Sequence, residues 1–175
     1  MEVRPVRPEE QAGLGELTVD VYRRVLASEL ATYAEVLRDA AARLAAGCEV
    51  MVADVDGRVV GGVTYVPGPG PYAQLTEEDE AELRMLVVDP AAQGRGVGTA
   101  LVQAGLQRAD AAGKRGLVLA TLPAMTAAHR LYLRLGFERR PERDSQIPGG
   151  APLWCYSRML GRASTSSRVG TRSPM

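Results

Sequence analysis

The sequence contains few residues of the types that build metal and redox sites. It has two cysteines, Cys48 and Cys155, whose spacing matches no zinc or redox motif, and a single histidine, His129. We therefore predict two free thiols in strands, in a reducing compartment, and no metal site. The histidine is expected on the exposed side of a short helix.

Strong net charge and long apolar runs are also absent. The 21 basic residues balance the 21 acidic ones, which argues against a general nucleic-acid-binding protein. No apolar run follows the start of the chain, and no segment has the length that spans a membrane. We expect a cytoplasmic protein that binds neither nucleic acid nor membrane, and 175 residues suffice for one domain with its own core.

Apolar periodicity and turn residues predict an alternation of strands and helices. Apolar residues recur at helical spacing in four segments, at residues 8–26, 31–46, 94–112 and 125–135. Strand-like runs occupy seven segments, at residues 2–7, 48–55, 58–66, 82–88, 116–122, 137–143 and 153–160. The order favours a single α+β domain over residues 1–160, with a mixed central β-sheet flanked by helices. The Ser-, Thr-, Arg- and Gly-rich residues 161–175 are predicted to form a mobile tail.

The most informative segment is residues 83–99. An apolar, β-branched strand is followed by Gln93-x-x-Gly96-x-Gly98, and a helical pattern continues from Thr99. Glycines at a helix start leave unpaired N–H groups open to a ligand, and those groups suit a phosphate or pyrophosphate. The third glycine comes one residue too early for a dinucleotide-binding motif, and no lysine follows as it does in a Walker loop. The alternative interpretation is a glycine-rich turn that caps a helix for packing alone.

A second motif lies downstream, where Ala128-x-x-Leu131-Tyr132-x-x-x-Gly136-Phe137 predicts a short helix that ends at a glycine and leads into a strand. The two motifs, in this order and separated by one strand-like segment, resemble the GNAT superfamily of acyl-CoA-dependent N-acyltransferases. The resemblance extends over about residues 3–160, although only residues 83–137 carry specific motif residues. It implies the GNAT fold and acetyl-CoA as the acyl donor, and it leaves open whether the acyl group is longer than acetyl.

The resemblance also implies which residues hold the coenzyme. The backbone at the end of the strand before the loop would pair with the pantetheine arm, at Leu86, Val87 and Val88. The pyrophosphate would lie on the backbone N–H groups of Gln93, Gly94, Arg95, Gly96, Val97, Gly98 and Thr99. The side chain of Arg95 is interpreted either as a further phosphate ligand or as a solvated loop arginine.

Two residues are candidates for the proton transfers. Tyr132 aligns with the tyrosine that the family often uses as general acid toward the departing thiolate, and its alternative role is that of a core tyrosine. Glu82 is the candidate base, acting directly or through water, and its alternative role is a surface charge at a strand end. Period-two alternation predicts that Glu82, Arg84, Leu86 and Val88 share one face of their strand.

The sequence departs from the family at Met125, where an asparagine commonly stands, seven residues before the tyrosine. Methionine lacks the donor and acceptor of the amide, so coenzyme affinity would suffer unless Thr126 substitutes. The function predicted first is transfer of an acetyl group from acetyl-CoA to a primary amine of a small molecule, peptide or protein. The alternative is a GNAT-fold sensor that binds acyl-CoA without turnover, and a plain nucleotide-binding protein is a third reading.

The sequence does not name the amine-bearing acceptor, but it indicates where the acceptor would bind. We expect a pocket formed by the first two helices, residues 67–76 and residues 139–152. The candidate lining residues in these and the neighbouring segments are Tyr33, Tyr72, Arg143, Asp144 and Trp154. The sequence leaves open whether the protein forms a homodimer.

Overall fold

One mixed β-sheet organises the chain in the computed structural model, which describes residues 1–26, 30–147 and 150–161. Within them the sheet has eight strands, in the order β1-β2-β3-β4-β5-β8-β6, with β7 paired to β8. Only β4 and β5 are parallel, and the other described pairs are antiparallel. The strands are β1 (Glu2–Pro5), β2 (Glu49–Val55), β3 (Arg58–Val66), β4 (Glu80–Val88), β5 (Gly116–Thr121), β6 (Glu138–Arg139), β7 (Ser145–Gln146) and β8 (Pro152–Met159).

Helices cover both faces of this sheet, which confirms the predicted α+β class. They are α1 (Gln11–Arg23), α2 (Leu30–Arg38), α3 (Ala40–Ala45), α4 (Val97–Ala111) and α5 (Thr126–Arg134). On one face Leu14 of α1 packs with Val50 and Val52 of β2. On the other face Leu101 and Val102 of α4 lie in the largest core cluster. No helix in the described ranges is long and apolar enough to cross a membrane.

Two predicted elements are wrong in their extent. The helix expected over residues 31–46 is divided into α2 and α3 at Asp39, whose backbone is not helical and whose carboxylate accepts a hydrogen bond from the Ala42 N–H at 2.8 Å. An aspartate in this position caps a new helix instead of continuing the old one. The strand expected over residues 137–143 ends at Arg139, because Pro141 begins a short 3₁₀ turn. Of the predicted tail, only Gly161 lies within the described residues.

A β-bulge in β4 is the feature that shapes the site. Met85 has φ of +54°, a left-handed conformation that is unusual for a side chain of this size. Arg84 lies opposite Thr64 and Val87 opposite Gly62, so one extra residue is accommodated in β4 between these pairs. A bulge reverses the alternation of faces beyond it.

This reversal contradicts the prediction that Glu82, Arg84, Leu86 and Val88 share a face. Leu86 and Val88 pack against the core cluster that contains α4. Arg84 instead bonds to Tyr33 of α2, on the opposite face. The extra residue at Met85 is the physical reason, since it shifts every later side chain by one position in the alternation.

The bulge coincides with a separation of β4 from β5. The parallel pairing of these strands runs from Glu80 with Gly116 to Leu83 with Leu119, where it ends. Residues 84–88 continue to pair with β3 on their other side. One edge of the end of β4 is therefore left without a strand partner among the described residues, and a cleft opens between the two strands.

The close packing of α1 against α2 can be tested by its contribution to the free energy of unfolding. A Cβ added at Gly15 would overlap the carbonyl oxygen of Arg38, whereas a Cβ at Gly13 in the same helix meets nothing within 4 Å. We expect Gly15→Ala to lower the free energy of unfolding by about 1–3 kcal/mol through overpacking. Gly13→Ala should raise it by about 0.5–1 kcal/mol, because alanine has the better helix propensity. Urea denaturation of both variants measures this, and equal effects would contradict the contact.

Candidate active site

The cleft between β4 and β5 is lined by residues of both strands and of α1, α4 and α5. It is narrow, enclosing about 20 Å³, which is the space of about one water molecule. Unbranched methionines form part of its wall and are able to change rotamer. The residues that line it are Tyr22, Leu83, Met85, Leu86, Val102, Leu119, Ala120, Thr121, Met125 and Tyr132.

One polar atom in this wall has no partner among the described residues. The hydroxyl oxygen of Thr121, at the end of β5, is buried and forms no hydrogen bond. Burying an unpaired hydroxyl costs about 1–3 kcal/mol in proteins. A ligand with an amide or carbonyl group in the cleft would remove this cost, so Thr121 is a polar contact that the sequence did not indicate.

The glycine loop leads into α4, the helix whose Val102 lines the cleft. Gly94 and Gly96 have φ of +75° and +79°, so the chain turns in the left-handed region and α4 begins at Val97, later than the predicted start at Gly94. A Cβ added at Gly96 would meet nothing within 4 Å, which leaves the first N–H groups of the helix open. Gly98 lies close to Val88 and to Leu131 of α5. The loop, the end of β4 and α5 therefore converge.

The remaining loop residues differ in exposure. Gln93 and Arg95 are exposed, and Thr99 is half-buried. The side chain of Val97 is buried in the core, so only its backbone is available to a ligand. Arg95 forms no ion pair with any residue that the structure describes. Its guanidinium is free to reach an anion at the helix start, as either interpretation of this residue allows.

The position of Tyr132 is compatible with both roles predicted for it, since the residue packs in the core and also lines the cleft. Its side chain is 4% exposed, and its ring lies 5.9 Å from that of Phe137 and 5.8 Å from that of Tyr156. Burial, with Tyr22 and Tyr156 nearby, raises the pKa of Tyr132 well above its ordinary value. The phenol is therefore protonated at neutral pH and can act as a donor.

Glu82 is not the surface charge at a strand end that one interpretation made it. The residue is 1% exposed, and its Oε2 accepts hydrogen bonds from the N–H groups of Gln74 and Leu75 at 2.8 and 3.0 Å. Its Oε1 has no hydrogen-bond partner among the described residues. Burial raises the pKa of Glu82, although the two N–H groups and Arg84 oppose that effect. Glu82 does not line the cleft with Tyr132, and the two residues lie on different elements of the site.

A broad basin lies on the α2 side of the sheet. It has a volume of about 750 Å³ and is lined by Tyr33, Val36, Pro71, Tyr72, Ala73, Gln74, Arg84, Gln146 and Ile147. The basin and the cleft have no lining residue in common, but their walls are in contact. Arg84 in the basin precedes Met85 in the cleft, and Tyr33 in the basin packs edge-on against Tyr22 at 6.5 Å.

Only some of the predicted pocket residues line this basin. Tyr33 and Tyr72 do, whereas Arg143, Asp144 and Trp154 do not. Arg143 pairs with Glu80 at 2.7 Å, and Asp144 with Arg139 at 2.6 Å. Arg84 also lines the basin, and it was absent from the predicted set.

The single histidine is placed differently from the prediction. His129 is half-buried: its ring stacks on Trp154 at 5.2 Å, and its Nε2 lies 3.1 Å from the Leu122 carbonyl oxygen. Met125, at the departure from the family, caps α5 without a side-chain hydrogen bond and lines the cleft. Cys48 and Cys155 are buried free thiols, although Cys48 precedes β2 and does not lie in it.

Comparison with known proteins agrees with this geometry. The sequence model of the Acetyltransferase (GNAT) family matches residues 16–137, which is more than half of the chain. The chain belongs to this family.

Individual relatives show the extent of the similarity. A mycothiol acetyltransferase of Cellulomonas flavigena is 34% identical over 130 residues, covering 69% of this chain and 37% of that protein. An N-acetylaspartate synthetase of Danio rerio is 37% identical over 100 residues, covering 56% and 33%. The chain thus spans about a third of the length of these relatives. A GNAT acetyltransferase of Brucella melitensis, solved in complex with acetyl-CoA, has a TM-score of 0.62 and 26% identity, covering 91% of this chain and 88% of that one.

The glycine loop can be tested with a matched pair of substitutions. Gly96 and Gly113 lie beyond opposite ends of α4, both have positive φ, and neither has a neighbour within 4 Å of an added Cβ. Valine at either position costs backbone strain of about 1–3 kcal/mol. Only Gly96→Val places a branched side chain over the open N–H groups, so we expect it alone to weaken coenzyme A binding, by about tenfold. Calorimetric titration measures this, and equal affinity of the two variants would place the coenzyme elsewhere.

Proposed function

We propose that the protein is an N-acetyltransferase that moves the acetyl group of acetyl-CoA to a primary amine. The observation that carries the proposal is the cleft between β4 and β5, with Tyr132 in its wall. The cleft is also lined by Val102 of α4, the helix with the open start, and by Met85, which follows the basin residue Arg84. A donor held at the helix start and an acceptor held in the basin would therefore meet near this cleft.

The described residues fit acetyl-CoA in three respects. The open N–H groups at the start of α4 suit the pyrophosphate, with Arg95 exposed beside them. The free edge of Leu86, Val87 and Val88 suits the extended pantetheine arm, which would pair as an additional strand. The unpaired hydroxyl of Thr121 suits an amide or carbonyl of that arm. When bound, acetyl-CoA supplies an acyl group activated as a thioester.

The residues of the chain supply the proton transfers. Tyr132 holds a proton in the cleft and donates it to the departing thiolate sulfur. Burial raises the pKa of the phenol and makes it a weaker acid. The same apolar wall raises the pKa of a thiol placed there, so the difference between the two pKa values is smaller than the raised pKa of the phenol alone would imply. Glu82 accepts a proton from the acceptor ammonium, through water because the carboxylate lies outside the cleft. Both steps take place where most bulk water is excluded.

The relatives support the reaction class and leave the acceptor undecided. Their names give two different products, mycothiol and N-acetylaspartate, and the chain covers only part of each. One observation favours a sensor without turnover: Met125 offers no amide at the start of α5, and its side chain narrows the cleft. The buried phenol of Tyr132 in the wall of that cleft favours the enzyme.

The experiment is release of free thiol from acetyl-CoA in the presence of a panel of amines, with calorimetric titration of coenzyme A alongside. Turnover with any amine supports the enzyme. Binding of coenzyme A without thiol release across the panel would support the sensor. Equal affinity for coenzyme A and for adenosine nucleotides would contradict both and favour a plain nucleotide-binding protein.

A further inference from the structure

The floor of the basin carries an arginine whose contacts hold it in place without neutralising it. Arg84 Nη1 donates to the Tyr72 carbonyl oxygen at 2.6 Å, and Nη2 donates to the Tyr33 hydroxyl at 2.9 Å. Both partners are uncharged. Arg84 Nε lies 3.8 Å from Glu82 Oε1, an ion-pair contact beyond hydrogen-bond distance. The guanidinium is therefore fixed in orientation while it keeps N–H groups for a ligand in the basin.

A second arginine lies behind the first and is less satisfied. Arg43 of α3 is 1% exposed, and its Nε and Nη2 have no hydrogen-bond partner among the described residues. Its Nη1 is directed at the thioether sulfur of Met85, a weak acceptor. A buried guanidinium without a carboxylate in hydrogen-bond contact is expensive to maintain. The fold therefore retains a positive charge beside the bulge at a cost to stability.

The local charge balance is positive. Arg84 Nε lies 3.8 Å from Glu82 Oε1, and Arg43 Nη1 is directed at Met85, the residue after Arg84, so the three charged groups lie close together. Asp39 also acts on Arg43, but its carboxylate caps α3 through the Ala42 N–H. Among the described residues Glu82 is the carboxyl group that contacts Arg84, so two guanidinium groups face one carboxyl group. Two guanidinium groups thus face the basin side of the sheet with incomplete compensation.

We infer that the acceptor is a small amine that also carries a carboxylate, and that Arg84 binds this carboxylate in the basin while Arg43 strengthens the positive potential behind it. The inference rests on the proposed acetyl transfer and names its substrate class. A planar guanidinium matches a carboxylate in geometry as well as charge. Because Arg84 is followed directly by Met85 in the cleft wall, a carboxylate on Arg84 leaves the amine of a small molecule near the cleft.

The test compares L-amino acids with their own carboxamides as acceptors, since each pair differs by one charge at nearly constant shape. We expect the wild-type protein to favour the acids in kcat/KM by about tenfold or more. Arg84→Met should reduce kcat/KM for the acids by a similar factor and change the carboxamides less than threefold. Arg84→Lys should recover part of the preference, because it keeps the charge and loses the planar fork.

A matched control variant distinguishes carboxylate binding by Arg84 from a purely structural role of this residue. Arg143 Nη2 donates to the Leu75 carbonyl oxygen at 2.6 Å, so it tethers the same loop as Arg84 without lining the basin. Arg143→Met should therefore leave the ratio of acid to carboxamide unchanged, even if the overall rate falls. Arg43→Met should reduce the ratio without lowering the melting temperature, because the charge it removes is unsatisfied.

Binding of products distinguishes failure of this inference from failure of the proposed reaction. N-acetylated amino acids and their carboxamides are titrated into the protein saturated with coenzyme A. Tighter binding of the acids, lost in Arg84→Met, supports the carboxylate site even if no amine tested is acetylated. Equal binding of acids and carboxamides, or equal losses for both in Arg84→Met, would overturn the inference while leaving the acetyltransferase proposal intact.

Discussion

Replacing Tyr132 with phenylalanine should lower kcat by at least tenfold and change acetyl-CoA affinity little. Tyr132 lines the cleft in which we propose that the leaving thiolate gains its proton, and general acids contribute typically 10²–10⁴-fold. A group that acts mainly in the transition state affects kcat more than binding. Phenylalanine keeps the ring packed against Phe137 and Tyr156, so the fold should be preserved.

Tyr156 provides the matched control for this prediction. It is also 4% exposed, and its ring lies 5.8 Å from that of Tyr132, but it does not line the cleft. Tyr156→Phe should therefore leave kcat within about threefold of the wild-type value, well inside the loss expected of a general acid. Single-turnover measurements ensure that chemistry is the observed step. An unchanged single-turnover rate in Tyr132→Phe would remove this residue from the mechanism.

Local patterns in the sequence were enough to predict the glycine loop and the helix that follows it. The glycines at residues 94–98 need positive φ or close approach, and a helix must follow them, so the chemistry can be read within a short segment. The same holds for the hairpin at Asp56-Gly57, where both residues have positive φ. The fold class also followed from local periodicity. These features depend on neighbours along the chain.

The acceptor side was not predictable in the same way, because it depends on register between distant segments. The bulge at Met85 arises from how β4 pairs with β3, and nothing in the alternation of residues 82–88 indicates it. Arg84, before the bulge, bonds to Tyr33, whereas Leu86, beyond it, lies on the opposite face. The burial of Arg43 likewise depends on the break at Asp39, which starts a new helix. When tertiary contacts bury a charged residue, the hydrophobic periodicity of the sequence does not indicate that burial.

Replacing Glu82 with glutamine should lower kcat/KM for the acceptor on the order of 100-fold at neutral pH, if the carboxylate is the base. Glutamine keeps an oxygen that can accept from the Gln74 and Leu75 N–H groups, so the substitution mainly removes the charge. In the wild-type protein the rate should fall as the pH falls through the raised pKa of Glu82. The rate of the variant should not show this decrease at low pH. If the variant retained both the wild-type rate and its decrease at low pH, Glu82 would be excluded as the base.

Stability should change in the opposite direction to activity. Because burial raises the pKa of Glu82 above the value of 4.5 for the unfolded chain, the native state binds more protons than the unfolded state between the two values. The carboxyl group therefore costs stability progressively as the pH rises through that window, and the cost is complete above the folded pKa. Glu82→Gln should be more stable than the wild-type protein at pH 8, with the advantage disappearing toward pH 4.5 and below.

Glu80 is the matched control with the opposite sign. It is 3% exposed on the same strand, and although burial acts to raise its pKa, hydrogen bonds from Arg143 and the Glu77 N–H lower that pKa overall. Its charge therefore stabilises the fold above its unfolded pKa, and this contribution is lost as the pH falls through the lowered folded value. Glu80→Gln should be less stable than the wild-type protein at pH 8, where Glu82→Gln is more stable. Urea denaturation of the three proteins at pH 5 and pH 8 measures both differences, and a destabilised Glu82→Gln at pH 8 would contradict the buried, uncompensated carboxylate.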